Sequence, residues 1–176
     1  NYHRLSAELV VYGTALILGL GADKKAALQS YDHQLWQVSP KLAPTPVVWT
    51  VNLGPFSEMH FNKLDKMARF SIDVTKVDGH VAQIGDTDNG RFFKLCPAHL
   101  DGSIEEDQQN HRHLAAAIGG LLGDAELISY AGKIYALEAE IVADLKGTST
   151  PSFNKQTDQS FTPTTQSNSG TCKEAQ

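Results

Sequence analysis

Apolar residues recur every three to four positions over much of the chain, and this spacing is typical of α-helices. Residues 2–20 are apolar on nearly every side, which predicts a helix surrounded by other elements. Asp23 is a good N-cap for a second helix that we expect to reach about Val38. Prolines then interrupt regular structure, and they flank one short β-prone run at 47–51.

The later part of the chain predicts three more helices. Ser57 is expected to cap the third, the fourth is expected to run from near residue 105 to 122, and the fifth over 125–146. Short turns join these helices, and this arrangement favours α-hairpins packed side by side. We therefore predict an all-α domain over residues 1–146, with a short β-prone and loop segment.

The last residues have a different composition. Ser, Thr, Gln, Asn and Pro dominate residues 147–176, and few large apolar groups are present to offset the cost of ordering the chain. This segment is predicted to be a flexible tail or linker. The sequence begins with Asn1 and shows no leader pattern, so we expect it to be an internal piece of a longer chain.

Charge and cysteine content narrow the function classes. The formal net charge is −5, which argues against a general nucleic-acid binder, because phosphate binding needs clustered Lys and Arg. An anionic sugar needs only a local patch of donors.

The longest apolar run is too short to cross a bilayer. Cys96 and Cys172 are far apart in sequence and do not indicate a disulfide framework.

Three polar segments stand out against the helical pattern. They are Asn1-Tyr2-His3-Arg4 before a long apolar helix, Asp78-Gly79-His80 leading into 83–91, and His111-Arg112-His113-Leu114 before a helix that ends at 119–123. In order and spacing, the three segments together resemble the later part of the helical region of heparinase II/III-like (alginate-lyase-like) polysaccharide lyases. The likeness covers roughly residues 1–146.

The resemblance implies a fold, a reaction and a setting. Members of that family have an incomplete (α/α) toroid followed by a β-sandwich domain, so we expect part of the toroid here and the β-sandwich in the parent chain. The implied reaction is β-elimination in a uronate-containing acidic polysaccharide, which would be the substrate and partner. No metal or organic cofactor is required. A periplasmic or secreted protein is implied.

The resemblance also implies site residues. An Asn, His or Arg bonded to the uronate carboxylate helps it accept the charge that develops when the C5 proton leaves. A base removes that proton, and an acid protonates the departing oxygen. The implied catalytic residues are Asn1, Tyr2 and His3, and the implied substrate-binding residues are Arg4, His80, Asp86 and Arg91.

Each of these residues also has a structural interpretation. The segment 1–4 fits a solvent-facing helix turn, in which Arg4 simply pairs with Glu8 four residues later. The loop from Asp86 to Arg91 fits a turn closed by its own polar side chains. The Asp-x-Asp-x-Gly pattern of this loop suggests calcium binding, but the loop lacks the Gly and the Glu that an EF-hand needs at its sixth and twelfth positions. His80 fits a surface turn.

Two further expectations concern histidines and tyrosines. His111 and His113 are two apart, so on one helix they would point to opposite sides, one buried and one in water. Tyr130 and Tyr135 follow the apolar pattern and are predicted to lie in the core, which leaves Tyr31 as the more exposed candidate proton donor.

Two functions of other classes compete with the lyase interpretation. One is a catalytically silent helical module that binds glycan or serves as a scaffold. The other is a glycoside hydrolase on a similar toroid, which needs two carboxylic acids at the scissile bond. Asp86 and Asp88 are the one close acidic pair in the predicted cleft loop, and alternate residues of a short loop tend to diverge.

Overall fold

The computed structural model describes residues 2–30, 53–83, 93 and 109–147. Most of these residues are helical, which confirms the all-α prediction. In chain order they form α1 (Tyr2–Leu18), α2 (Ala22–Ser30), α3 (Glu58–Asp73), α4 (Arg112–Leu122), α5 (Ala125–Ala131) and α6 (Ala136–Lys146). The β-prone run at 47–51, Tyr31 and the predicted tail beyond Gly147 lie outside the described residues.

Helix α4 lies at the centre of the described structure. It packs against α1, α3, α5 and α6, and ten of its eleven residues are buried. A helix covered on all sides must be apolar on all sides, and α4 meets this condition with Ala, Ile, Leu and Gly after its first turn. The helix begins at Arg112, later than predicted, because residues 109–111 adopt a turn in which Asn110 Oδ1 accepts the Arg112 N–H.

Glycines set how closely the helices approach. A Cβ placed on Gly120 of α4 would overlap the carbonyl oxygen of Ala139 on α6. A Cβ on Gly19, just after α1, would overlap the carbonyl oxygen of Leu145. At both points the missing side chain lets one backbone rest directly on another.

Helix α1 buries only one side. Ala7, Val11, Ala15 and Leu18 join the core, at spacings of three and four residues. Leu16, in contrast, is 53% exposed, and Leu9 and Val10 are also exposed. Within the described residues, α1 is thus covered mainly on the side that faces α4 and α6, and its remaining apolar residues are exposed.

The predicted fifth helix is also wrong, because it is two helices. Gly132 interrupts it with φ 82° and ψ 171°, a 3₁₀ turn follows at Lys133–Tyr135, and α6 begins at Ala136. The break changes the register of the apolar positions. Ile134 and Leu137, which fit the continuous helix, are exposed, whereas Tyr135 is buried.

Charged side chains close the ends of two helices. Lys146 is buried, and its Nζ donates to the carbonyl oxygens of Gly120 at 2.9 Å and Leu121 at 2.8 Å. These oxygens have no partner further along α4, and a cation at this end also matches the helix dipole. Burial lowers the pKa of Lys146.

The start of α5 is held in a similar way. Asp124 is its N-cap and accepts the N–H groups of Glu126 at 2.9 Å and Leu127 at 3.2 Å. Arg69 of α3 bridges to Asp124 at 3.1 Å, and also to Glu126 and Asp65. The cap and the ion pairs together fasten α3 to the turn between α4 and α5.

A histidine joins α1 to α3. Thr14 Oγ1 and His60 Nε2 are 2.8 Å apart in a hydrogen bond, and the Phe56 ring stacks on the imidazole at 4.5 Å. Burial lowers the pKa of His60 below the ordinary histidine value of 6.5. As the pH falls below 6.5, the unfolded chain therefore takes up this proton before the folded chain does, and the folded state loses stability.

A protein without His60 is expected to lose less stability in acid than the wild type. The free energy of unfolding, measured in urea at about pH 7.5 and at about pH 5.5, should fall less in His60→Gln than in the wild type. Glutamine keeps a hydrogen-bonding partner for Thr14 and does not titrate. Equal losses in the two proteins would show that His60 contributes nothing to the pH dependence.

Among the described residues, no helix combines the length and the apolar character that a membrane span requires.

Candidate functional site

The second and third polar segments meet at the start of α4. The turn after Thr75 returns antiparallel at Val81, whose N–H donates to the Gln109 carbonyl at 2.8 Å. Gly79 in this turn lies against the guanidinium of Arg112, since a Cβ there would be 3.2 Å from Arg112 Nη2. Gly79 has a φ of 85°. The turn that contains His80 is thus packed against the first residue of α4.

The part of α1 that follows the first segment meets the third segment in a buried contact between a glutamate and a histidine. Oε1 of Glu8, one turn after Arg4 on α1, lies 2.9 Å from Nε2 of His113 in the first turn of α4. Both side chains are 2% exposed. The other carboxylate oxygen of Glu8 accepts the N–H of Phe93 at 3.3 Å. The start of α4 is therefore contacted by α1 just after the first segment and by the turn of the second segment.

The contact between Glu8 and His113 is an ion-pair distance, and it joins two charges only when the imidazole is protonated.

Two further rings adjoin His113. The ring centroids of His111 and Tyr135 lie 6.4 and 6.2 Å from that of His113. All three residues are buried, as is Glu8, and we call these four residues the buried polar cluster. The prediction that one of the two histidines lies in water is wrong. His111 precedes α4, with φ −100° and ψ 11°, so helical geometry does not set the angle between the two side chains.

Two more charged residues are buried on the same helices. Arg4 is 0% exposed and lies one turn before Glu8 on α1, and Glu138 is 1% exposed and lies three residues after Tyr135. Burial of charge is costly unless the charges compensate one another. Acidic, basic and imidazole groups are therefore concentrated among the buried residues of α1, α4 and α6.

The predicted site residues have different positions. Arg4 is fully buried, so its guanidinium does not reach the surface in this conformation. His80 is partly exposed on the turn described above. Tyr2 and His3 form the first turn of α1, and their side chains lie outside the described part of the structure. The predicted residues Asn1, Asp86 and Arg91 lie outside the described residues altogether.

The turn that carries His80 has its own charge network. Asp78 Oδ1 accepts the His80 backbone N–H at 3.0 Å and lies 3.4 Å from His80 Nδ1. Lys76 Nζ lies 3.2 Å from the other oxygen. The bond from the His80 backbone, and after it Lys76, lower the pKa of Asp78. Asp78 is therefore ionised at neutral pH and is already engaged by two neighbours.

Sequence reasoning missed Glu8, Glu138 and the role of Tyr135. Glu8 had been considered only as a surface partner for Arg4, although it falls on the face of α1 that also carries Val11 and Ala15. Glu138 likewise precedes the buried Val142 by four residues. A charged residue in register with core positions is the signal that was available. The core position of Tyr135 was predicted and is confirmed.

The described residues contain no group of three His, Cys, Asp or Glu side chains arranged to hold a metal ion. Comparison of the chain with protein-family models, with curated proteins and with solved structures gave no match.

Proposed function

We propose that the chain is part of a polysaccharide lyase that cleaves a uronate-containing acidic polysaccharide by β-elimination. One observation carries the proposal. Gly79 of the second polar segment contacts Arg112 of the third, and Glu8, one turn after the first segment on α1, lies beside His113 of the third. Segments that share one reaction must share one location.

The proposed chemistry divides the work between exposed and buried groups. Asn1, Tyr2 and His3 act at the reacting sugar, and His80, Asp86 and Arg91 bind its neighbours. Arg4 is a positioning residue in this proposal, because it is buried one turn from Glu8. The buried polar cluster orients the start of α1 and α4, from which the first and third segments extend. Such support fixes the geometry of reacting groups.

The proposed architecture follows from the helix contacts. Helices α4 and α5 pack together across the short Gly123–Asp124 turn, and α6 packs on α4. We propose that these α-hairpins, with α1, form part of an incomplete (α/α) toroid. The β-sandwich domain of the parent chain would complete the cleft.

The test is the product of the reaction. The full-length protein, incubated with alginate and with heparan-type polymers, is expected to release a 4,5-unsaturated uronate, which is detected as new ultraviolet absorbance. β-Elimination is the step that creates this double bond, whereas hydrolysis does not. New reducing ends without the unsaturated product would reject the lyase and favour the toroid hydrolase.

A second candidate is the silent glycan-binding or scaffold module. It is favoured by the burial of Arg4, Glu8, His113 and Glu138, each at most 2% exposed, since buried groups reach no substrate in this conformation. Binding of acidic glycan by the full-length protein, with no turnover over the same panel, would favour this candidate.

A further inference from the structure

An exposed arginine at the start of α4 is held in a fixed position. The Cζ atom of Arg112 lies over the ring of Tyr130 of α5, 5.9 Å from its centroid. Tyr130 is anchored in turn, because its hydroxyl donates to Thr75 Oγ1 at 3.0 Å and its ring packs on the small core cluster around Tyr135. Stacking on an aromatic face restrains a guanidinium without removing its charge.

A glycine leaves room for this arrangement. The Arg112 Nη2 atom lies so near Gly79 that a Cβ there would be at 3.2 Å, which is a tight contact. Gly79 also has the positive φ of 85° that L side chains rarely adopt. The backbone of the turn and the ring of Tyr130 thus both restrict the position of the guanidinium.

The charge of Arg112 is not neutralised within the described part of the chain. There, Arg112 makes no ion pair, and the nearby Asp78 is engaged with Lys76 and His80. Arg69 offers the contrast, because three carboxylates surround it and fasten α3 to α5. An arginine that serves the fold is paired in this way. Arg112 instead presents its donors to solvent.

We infer that Arg112, seated on Tyr130 and beside Gly79, binds a carboxylate group of an acidic glycan. The planar guanidinium presents donors in a fork that matches a carboxylate, and restraint before binding lowers the entropy lost on binding. His80, the residue that follows Gly79 in the turn, is partly exposed. The inference rests on the proposed function, for which it names a substrate-binding residue.

The subsite is continuous with the candidate site. Arg112 lies between His111 and His113 in sequence, so the carboxylate would bind directly outside the buried polar cluster. The same residue belongs to the third polar segment and contacts the second. A uronate bound here would therefore lie where those two segments meet.

The experiment measures binding by the full-length protein. The ligand is an oligosaccharide prepared from alginate, because carboxylates are its only anionic groups. Arg112→Gln is expected to weaken binding at least about tenfold, which equals about 1.4 kcal/mol. Arg112→Lys should recover part of the affinity, since it restores the charge without the planar fork. Lys63→Gln, which removes an equal charge from an exposed position of α3, should bind as the wild type does.

A second ligand isolates the carboxylate. The same oligosaccharide with its carboxylates reduced to alcohols should bind weakly, and equally, to the wild type and to Arg112→Gln. Thermal unfolding of Arg112→Gln should match the wild type closely, because the side chain is exposed.

The outcomes separate this inference from the lyase proposal. Wild-type affinity in Arg112→Gln would overturn the inference and leave the lyase proposal intact. Arg112-dependent binding without any unsaturated product would support the inference and reject the lyase. Absence of binding by the wild type would overturn the inference, and the product assay would then decide the lyase proposal by itself.

Discussion

Replacement of Glu8 by alanine is expected to destabilise the protein by about 3–5 kcal/mol, which is a large part of the stability of a typical domain. The cause is the position of His113, whose Nε2 lies 2.9 Å from the carboxylate and is closed off from water. Without Glu8 the buried imidazole loses the carboxylate beside it, and the N–H of Phe93 loses its acceptor. Urea unfolding at neutral pH measures the loss as a lower midpoint.

Two control variants make this result specific. Glu140→Ala removes an exposed glutamate from α6 and should change the stability by less than about 0.5 kcal/mol. Glu8→Gln keeps the shape and one acceptor, so its loss should lie between those of the other two variants. An equal effect of Glu8→Ala and Glu140→Ala would show that the ion pair contributes nothing to the fold.

Replacement of Gly120 by alanine is expected to destabilise the protein by about 1–3 kcal/mol or more. The added methyl group would overlap the carbonyl oxygen of Ala139, and backbone atoms cannot move aside as a flexible side chain can. Helices α4 and α6 would have to separate, although each buries much of its surface against the other.

Gly13 provides a matched control for this substitution. It lies in the middle of α1, and a Cβ there would meet nothing within 4 Å. Because alanine favours a helix more than glycine does, Gly13→Ala should stabilise the protein by about 0.5–1 kcal/mol. The two identical changes should therefore shift the thermal unfolding midpoint in opposite directions. A Gly120→Ala midpoint equal to or above that of the wild type would show that α4 and α6 do not meet at Gly120.

Local sequence signals predicted several helix boundaries. Ser57 occupies the N-cap position of α3, as expected, although its side chain makes no capping hydrogen bond. Gly123 ends α4 with a φ of 69°. The break at Gly132 was missed, because the apolar spacing continues through it and one glycine is a weak signal against such a pattern. The packing of Tyr135 against His113 is a tertiary contact that accompanies the break, and periodicity contains no information about it.

The candidate site was less predictable than the helices. Its histidines were recognised, but both were expected on one regular helix, with their side chains on opposite sides. His111 instead precedes α4, so helical geometry does not set the angle between the two side chains. Glu8 was assigned to a local pair because pairing along a helix is visible in sequence, whereas pairing between α1 and α4 is not. Arg112 had no assigned role, since its support from Tyr130 and Gly79 exists only in the folded chain.

The contacts of α1 have a consequence for how the protein is made. Its partners α4 and α6 are encoded near the other end of the described chain, so α1 leaves the ribosome long before them. Until then the face of Ala7, Val11, Ala15 and Leu18 lacks its main partners, and closing so long a loop is entropically costly. Helices α4, α5 and α6, in contrast, can assemble with their immediate neighbours. Of the described helices, α1 is therefore synthesised before the partners that bury most of its apolar face, and we expect that face to be a target for chaperones during synthesis.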